Sequence, residues 1–283
     1  MLDHAVEHTP TPGSRNGRPP VLVVEHLHKR FGELAAVEDV SFEIPEGGAL
    51  GIVGESGSGK TTLARMIAGL ERPTSGTIVC CGRDRSRPAR STRERRRRGR
   101  EVQIVFQDPY SSLDRRQTIR DSLEEILRLH DASGRDQRRA RITELADMVG
   151  LDDRQLRALP RSLSGGQRQR VAIARALAAK PRLLILDESV SALDVSIQAQ
   201  VLNLLADIRA ESGLPYLLIS HDLAVVRQLT PDGVVMRHGQ IVERGTTARL
   251  LDEPQHPYTQ LLRASVPEPG WKPTRRTRTK KAS

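Results

Sequence analysis

Residues 54–62 read GESGSGKTT, with Gly54, Gly57 and Gly59 leading into a Lys60–Thr61 pair. A loop so bare of side chains lets successive backbone N–H groups turn inward on an anion without clash. One ammonium and one hydroxyl at its end suit a polyphosphate and a divalent cation. The stretch fits G-x-x-x-x-G-K-[ST], a pattern that demands a strand before it and a helix after it. A chance match in a chain this size is roughly one in a hundred at average glycine usage. In that setting Lys60 reaches the outer phosphates, Thr61 ligates Mg²⁺, and the following helix points its positive end at the same oxygens. A plain glycine turn before a helix is the bland alternative, and residues further along weigh against it.

The first of these is LLILDE (183–188). Four apolar residues read as a buried strand that delivers Asp187 and Glu188 to its carboxyl end, the edge where open α/β sheets bind ligands. Asp187 can hold Mg²⁺ through water, and Glu188 can polarise an attacking water as general base. The second is LSGGQ (163–167), another serine beside two glycines but with no lysine to follow.

These groups need a sheet to position them. ALGIV (49–53) is apolar and strand-sized ahead of the glycine loop, and TTLARMIAGL (61–70) behind it has helical spacing. VLVVEHL (21–27), VEDVSFEI (37–44), TIVC (77–80), VQIVF (102–106) and PYLLIS (215–220) are further strands, with a turn at Phe31-Gly32. GVVMRHGQIVERG (233–245) reads as a hairpin turning near His238-Gly239. From about 109 to 180 the apolar spacing becomes helical, as in SLEEILRL and ARITELADMVGL, so a helical subdomain interrupts the strands. Ala192 through Ala210 and Thr246 through Leu262 are expected as helices. Alternating strands and helices imply an α/β sheet.

Composition agrees with a chain that folds around an aliphatic core: hydrophobic residues are 37% and aromatics only 2%. No apolar run approaches the ~18 residues a membrane helix needs. Cys80 and Cys81 are adjacent, a poor arrangement for a disulfide. The net charge of +10 is concentrated in two places, residues 83–100 and residues 270–283. Both are expected to be solvated appendages on a mildly acidic body, with an anionic membrane surface as the second reading.

Taken in order, the motifs resemble the ATPase subunits of ABC transporters over about residues 21–265. GESGSGKTT looks like Walker A, so Gly54, Glu55, Ser56, Gly57, Ser58, Gly59, Lys60, Thr61 and Thr62 are the expected ATP-binding residues. LLILDE looks like Walker B with its catalytic glutamate. Gln107, in VFQDP, matches the Q-loop glutamine and is an expected Mg²⁺ or water ligand beside Thr61 and Asp187. His221, in ISHD, matches the switch histidine, and Phe31 stands where the family places an adenine-stacking aromatic. LSGGQ is the most family-specific match. The resemblance implies that Leu163, Ser164, Gly165, Gly166 and Gln167 cap the ATP of an opposite subunit, and that the D-loop Ser191, Ala192, Leu193 and Asp194 lies between subunits. Asp194 would also suit a helix N-cap.

A narrower likeness, in FQDPYSSLD (106–114), SALDVSIQAQVLNLL (191–205), LISHDLAVV (218–226) and HPYTQLLRASVP (256–267), is to the oligopeptide/dipeptide importer branch. It departs from that branch at Ser189 and Arg115, where proline is usual. The implied fold is a P-loop NTPase ABC ATPase core with a β-rich edge and an inserted helical subdomain. Residues 1–20 would be a disordered leader, about 246–267 an importer-type extension, and 268–283 a basic tail.

The implied function is ATP-driven peptide import at the cytoplasmic face of the membrane, with ATP and Mg²⁺ and no iron–sulfur cluster. The implied partners are two transmembrane permease subunits, a second ABC ATPase that is identical or homologous, and, indirectly, an extracytoplasmic solute-binding protein. An importer of nickel or another small solute, and an exporter, are the nearest alternatives. A soluble nucleic-acid-associated ATPase would make the arginine run a binding arm, but base-stacking aromatics are scarce. A degenerate regulatory nucleotide binder is disfavoured by Lys60, Asp187, Glu188 and His221.

Overall fold

The computed structural model describes residues 19–130 and 134–264. The expected leader and basic tail, and the end of the importer-type extension, therefore lie largely or wholly outside the described residues. In chain order the strands and helices are β1 (Leu22–Phe31), β2 (Leu34–Ile44), β3 (Ala49–Val53), α1 (Lys60–Ala68), β4 (Ser75–Cys80), β5 (Arg83–Asp84), α2 (Thr92–Glu101) and β6 (Val102–Val105). There follow α3 (Ile119–His130), α4 (Arg135–Val149), α5 (Asp153–Arg157), α6 (Gly165–Ala178), β7 (Leu183–Asp187), α7 (Val195–Ser212), β8 (Tyr216–Ser220), α8 (Leu223–Leu229), β9 (Asp232–Arg237), β10 (Gln240–Thr246), α9 (Thr247–Asp252) and α10 (Pro257–Ala264).

The strands form two sheets. The smaller runs β2-β1-β4-β5 and is antiparallel, the β-rich edge expected from the N-terminal third. The larger runs β10-β9-β3-β8-β7-β6. It is parallel except for the β9–β10 hairpin, whose turn falls at His238-Gly239 as expected.

The apolar runs of β7 and β8 are explained by burial on both faces. Leu183 and Ile185 of β7, with Leu217 and Ile219 of β8, face a core shared with α1 and the small sheet. Leu184 and Leu186, with Tyr216 and Leu218, face a second core filled by α3, α4, α6, α7 and α8. The parallel core strands therefore carry no polar face to solvent, and their carboxyl ends are the free edge at which polar groups collect.

Three sequence expectations need correction. The helix expected from Ala192 begins at Val195, because the Asp194 carboxylate caps it by accepting from the Ile197 N–H and residues 191–194 remain a loop. The single helix expected over 246–262 is two, α9 and α10, separated at Pro254, a residue that cannot donate to a helix ladder. The arginine run is only partly a solvated appendage. Ser91 caps α2, and Glu94 accepts from Arg98 at 2.6 Å. Arg85 is buried, its guanidinium donating to Glu101 at 2.5 Å. Arg93, Arg95 and Arg96 of α2 remain exposed as expected. Cys80 and Cys81 are free thiols with sulfurs 3.7 Å apart.

Candidate nucleotide site

Strand β3 stops at Val53 and the chain turns through residues 54–59 before α1 begins at Lys60. Gly59 holds φ at 100°, and a Cβ there would stand 2.2 Å from the Ala36 carbonyl oxygen. Only glycine fits that conformation and that approach. Gly59 caps α1 without any side-chain hydrogen bond. The first-turn N–H groups of α1 are thus left as donors for an anion.

The loop borders a cavity of about 420 Å³ lined by Phe31, Leu34, Ala35, Ala36, Ser56, Gly57, Gly59, Lys60, Thr61, Thr62, Glu188 and His238. Expected residues from three separate stretches thus meet there. Lys60 is buried, and its ammonium donates to the carbonyls of Gly54 and Glu55 at 2.7 Å each and to Ser58 Oγ at 3.3 Å. Burial lowers its pKa, opposed by the charges of Glu188, Asp187 and Glu55. The cation is therefore held over the loop by its own backbone oxygens, ready for an anion that satisfies it better.

Thr61 donates its hydroxyl to Asp187 Oδ1 at 3.1 Å, which joins the first turn of α1 to the end of β7. Asp187 is buried, and desolvation pushes its carboxyl pKa up, with the Thr61 hydrogen bond opposing. A buried carboxylate beside a hydroxyl is a donor set for a hard cation such as Mg²⁺. Among the described residues, no group of three or more His, Cys, Asp or Glu side chains is placed to hold a metal. Any cation here would therefore lean on the nucleotide's own oxygens, as Mg²⁺ does in phosphate sites.

Glu188 follows with φ at 48°, a left-handed conformation that is strained for a side-chain-bearing residue. Its N–H is bound to the Ile219 carbonyl of β8, and its carbonyl accepts from Ser191 Oγ at 2.9 Å. This anchored turn sends the carboxylate to the cavity. His221 Nδ1 lies 3.6 Å from Glu188 Oε2. Gln107 donates to Ser191 Oγ at 3.2 Å, so Gln107, Ser191 and Glu188 form one chain of contacts.

The remaining expected residues fall in two groups. Phe31 lines the cavity, half exposed, with the Lys29 ammonium 4.5 Å from its ring centre. The LSGGQ residues do not line the cavity. They start α6 with a capping box in which the Ser164 and Gln167 side chains each accept from the other's backbone N–H. Gly166 packs against α7 so closely that a Cβ would stand 2.3 Å from Ile197 Cγ2.

Sequence reasoning missed His238, read only as part of a hairpin turn, and Leu34, Ala35 and Ala36. It also missed Tyr258 as a site residue, although its buried hydroxyl accepts from the Glu55 N–H at 3.0 Å. Those approaches join residues far apart in the chain, and no local pattern signals them.

The sequence matches the ABC transporter family over residues 37–191, more than half of the chain. The chain belongs to the ABC transporter family. A second match, to the oligopeptide/dipeptide transporter C-terminal region, covers residues 242–283. The oligopeptide transport ATP-binding protein OppF of Lactococcus lactis is 46% identical over 232 residues, covering 82% of this chain and 72% of that protein. OppD of Mycobacterium tuberculosis is 46% identical over 243 residues, 86% of this chain. The chain spans only 39% of that relative's length.

Solved ABC structures superpose on the fold described above. The dimeric, post-hydrolysis cassette MJ0796 bound to ADP and Pi has a TM-score of 0.71 at 28% identity, covering 80% of this chain and 98% of that one. CbiO1 of Clostridium perfringens, part of the ABC transporter complex cbiONQ, reaches 0.75 at 26% identity, covering 83% of this chain and 92% of that one. The α/β core, its antiparallel edge and its helical subdomain are thus those of an ABC ATPase.

Proposed function

We propose that this chain is the ATP-binding and ATP-hydrolysing subunit that energises an ABC importer for peptides. The observation that carries it is the meeting of Lys60, Thr61 and Glu188 around one cavity, with Asp187 bonded to Thr61. The peptide assignment is supported by the likeness of residues 242–283 to the oligopeptide/dipeptide C-terminal region and by the transport relatives.

In this reading Lys60 and the loop N–H groups bind the outer phosphates of ATP. Phe31 offers a ring face to the base, as aromatics do to π-systems. Thr61 and Asp187 would hold Mg²⁺, with Gln107 nearby, and that ion would neutralise charge on the phosphates. Glu188 takes the proton of a water aimed at the γ-phosphate. His221, close to that carboxylate, orients it and contacts the same phosphate.

The loop at Ser164, Gly165 and Gly166 faces the nucleotide of a second ABC ATPase, so ATP closes a pair and hydrolysis opens it. Closure is passed to two permease subunits, which receive solute from an extracytoplasmic binding protein. Among the described residues no helix is long and apolar enough to cross a membrane.

The test has two parts. Purified chain should release phosphate from MgATP, and Glu188→Gln should slow this by about 10²–10⁴-fold, the worth of a general base, while nucleotide binding persists. Capture of the chain from gently solubilised native membranes should recover multi-span permeases and an ABC ATPase. Recovery of nucleic-acid proteins with no membrane subunit would sink the importer reading.

A further inference from the structure

We propose that Tyr258 is a positioning residue of the nucleotide site, fixing the Gly54–Glu55 peptide through its phenolic oxygen; this rests on the ATP-site reading above. The oxygen accepts from the Glu55 N–H at 3.0 Å, across 203 positions of sequence. The ring is buried, with the Arg237 guanidinium 4.8 Å from its centre.

The other end of the same peptide is held too. The Gly54 carbonyl accepts from the Lys60 ammonium at 2.7 Å. Because a peptide unit is planar, its carbonyl and its N–H turn together. Lys60 and Tyr258 therefore clamp one plane from opposite edges. When Lys60 leaves the loop carbonyls for a phosphate, Tyr258 keeps hold of the nitrogen edge. Gly54 itself lies close against β9, since a Cβ there would stand 2.2 Å from the Met236 carbonyl oxygen.

Tyr258 is itself braced. Its N–H donates to His256 Nδ1 at 3.1 Å, and the N–H groups of Gln255 and His256 donate to the Glu243 carboxylate at 2.8 and 3.1 Å. Glu243 lies on β10, and β10 pairs with β9, which leads into the cavity residue His238. The hairpin, α10 and the glycine loop thus close a ring of contacts. The segment that marks the oligopeptide/dipeptide branch supplies one wall of it.

Tyr258→Phe keeps the buried ring and its Arg237 contact but removes the acceptor. Losing one hydrogen bond of about 1 kcal/mol corresponds to about fivefold. Deuterium exchange at the Glu55 amide should accelerate by about that factor, and the KM for MgATP should rise similarly with kcat little changed. A purely structural role would lower Tm and leave this split between KM and kcat absent.

The wild-type chain gives a result that needs no variant to fold. Its Glu55 amide should be protected although the residue is exposed. Exchange at the unprotected rate would overturn the proposal, as would a Tyr258→Phe chain with unaltered Glu55 exchange and KM. A wild-type chain that neither binds nor hydrolyses MgATP, with Glu55 still protected, would overturn the ATP-site reading instead.

Discussion

Asp187 is a buried carboxylate whose direct hydrogen-bond donor is one threonine hydroxyl. Burial raises its pKa, the charge of Glu188 adds to that, and Thr61, Arg65 and Lys60 oppose it. The folded state therefore holds the Asp187 proton more tightly than the unfolded chain does. Between the unfolded carboxylate range and the raised value, stability falls as pH rises, because ionisation then costs the folded state. Above that window the penalty is full. Asp187→Asn removes the charge and keeps an acceptor for Thr61. We expect the metal-free variant to melt a few degrees higher than wild type at neutral pH, with the difference shrinking as pH falls into the window. Its Mg²⁺-dependent nucleotide binding should weaken. Thermal melts in chelator at two pH values check the first part, and titration with and without Mg²⁺ the second. The residue would then be kept for ligand at a cost to the fold, which is common where a site gathers charge. The strained φ of Glu188 is a second sign of the same trade.

At the scale of elements, the capping box fixes where α6 starts and Gly166 fixes how near it comes to α7. Gly166→Ala would drive a methyl into Ile197, a β-branched side chain with little freedom to yield. We expect a loss of about 1–3 kcal/mol by overpacking and a displaced LSGGQ loop, with nucleotide still bound at Lys60. Adding Ile197→Ala should return most of the stability, read by denaturant unfolding of the single and double variants. Helix α2 allows a second such test. Glu101 pairs with Arg85, whose side chain is 2% exposed, and also with Arg83 at 2.9 Å. Glu101→Ala leaves a buried guanidinium unpaired and should cost about 3–5 kcal/mol, whereas replacing both Arg85 and Glu101 by leucine should cost far less. This pairing explains what the sequence could not show about residues 83–100. Ten arginines on one stretch look alike in a charge count, and burial of one of them depends on a carboxylate 16 residues away. The strands β3, β7 and β8 were legible because burial on both faces writes itself as an unbroken apolar run. Pro254 signals the break between α9 and α10, but apolar spacing that continues on either side of it reads as one helix.

Across the whole molecule, the legible part of the site was the part written contiguously. The glycine loop and LLILDE each carry their chemistry within a few residues, and the fold brings both to the cavity. His238 and Tyr258 come from returns of the chain that no spacing encodes. The LSGGQ loop is the opposite case, plain in sequence yet absent from the lining of the cavity in its own chain. On the proposed reading, this loop serves the phosphate of a second cassette. Ser164→Arg should therefore leave nucleotide binding by the isolated chain intact and abolish hydrolysis, the separation expected of Glu188→Gln but produced here from a residue outside the chain's own cavity. Lys60→Ala should lose binding outright. Mixing the two variants restores one complete composite site if copies of this chain pair, because the first supplies an intact glycine loop and the second an intact LSGGQ. Phosphate release from the mixture, compared with each variant alone, reads this directly. Recovery would assign both halves of the site to this chain. Its absence, with both variants folded, Ser164→Arg still binding nucleotide and the wild-type chain alone also inactive, would assign the second half to a different ABC ATPase, and the same Ser164→Arg chain would then serve to test that partner.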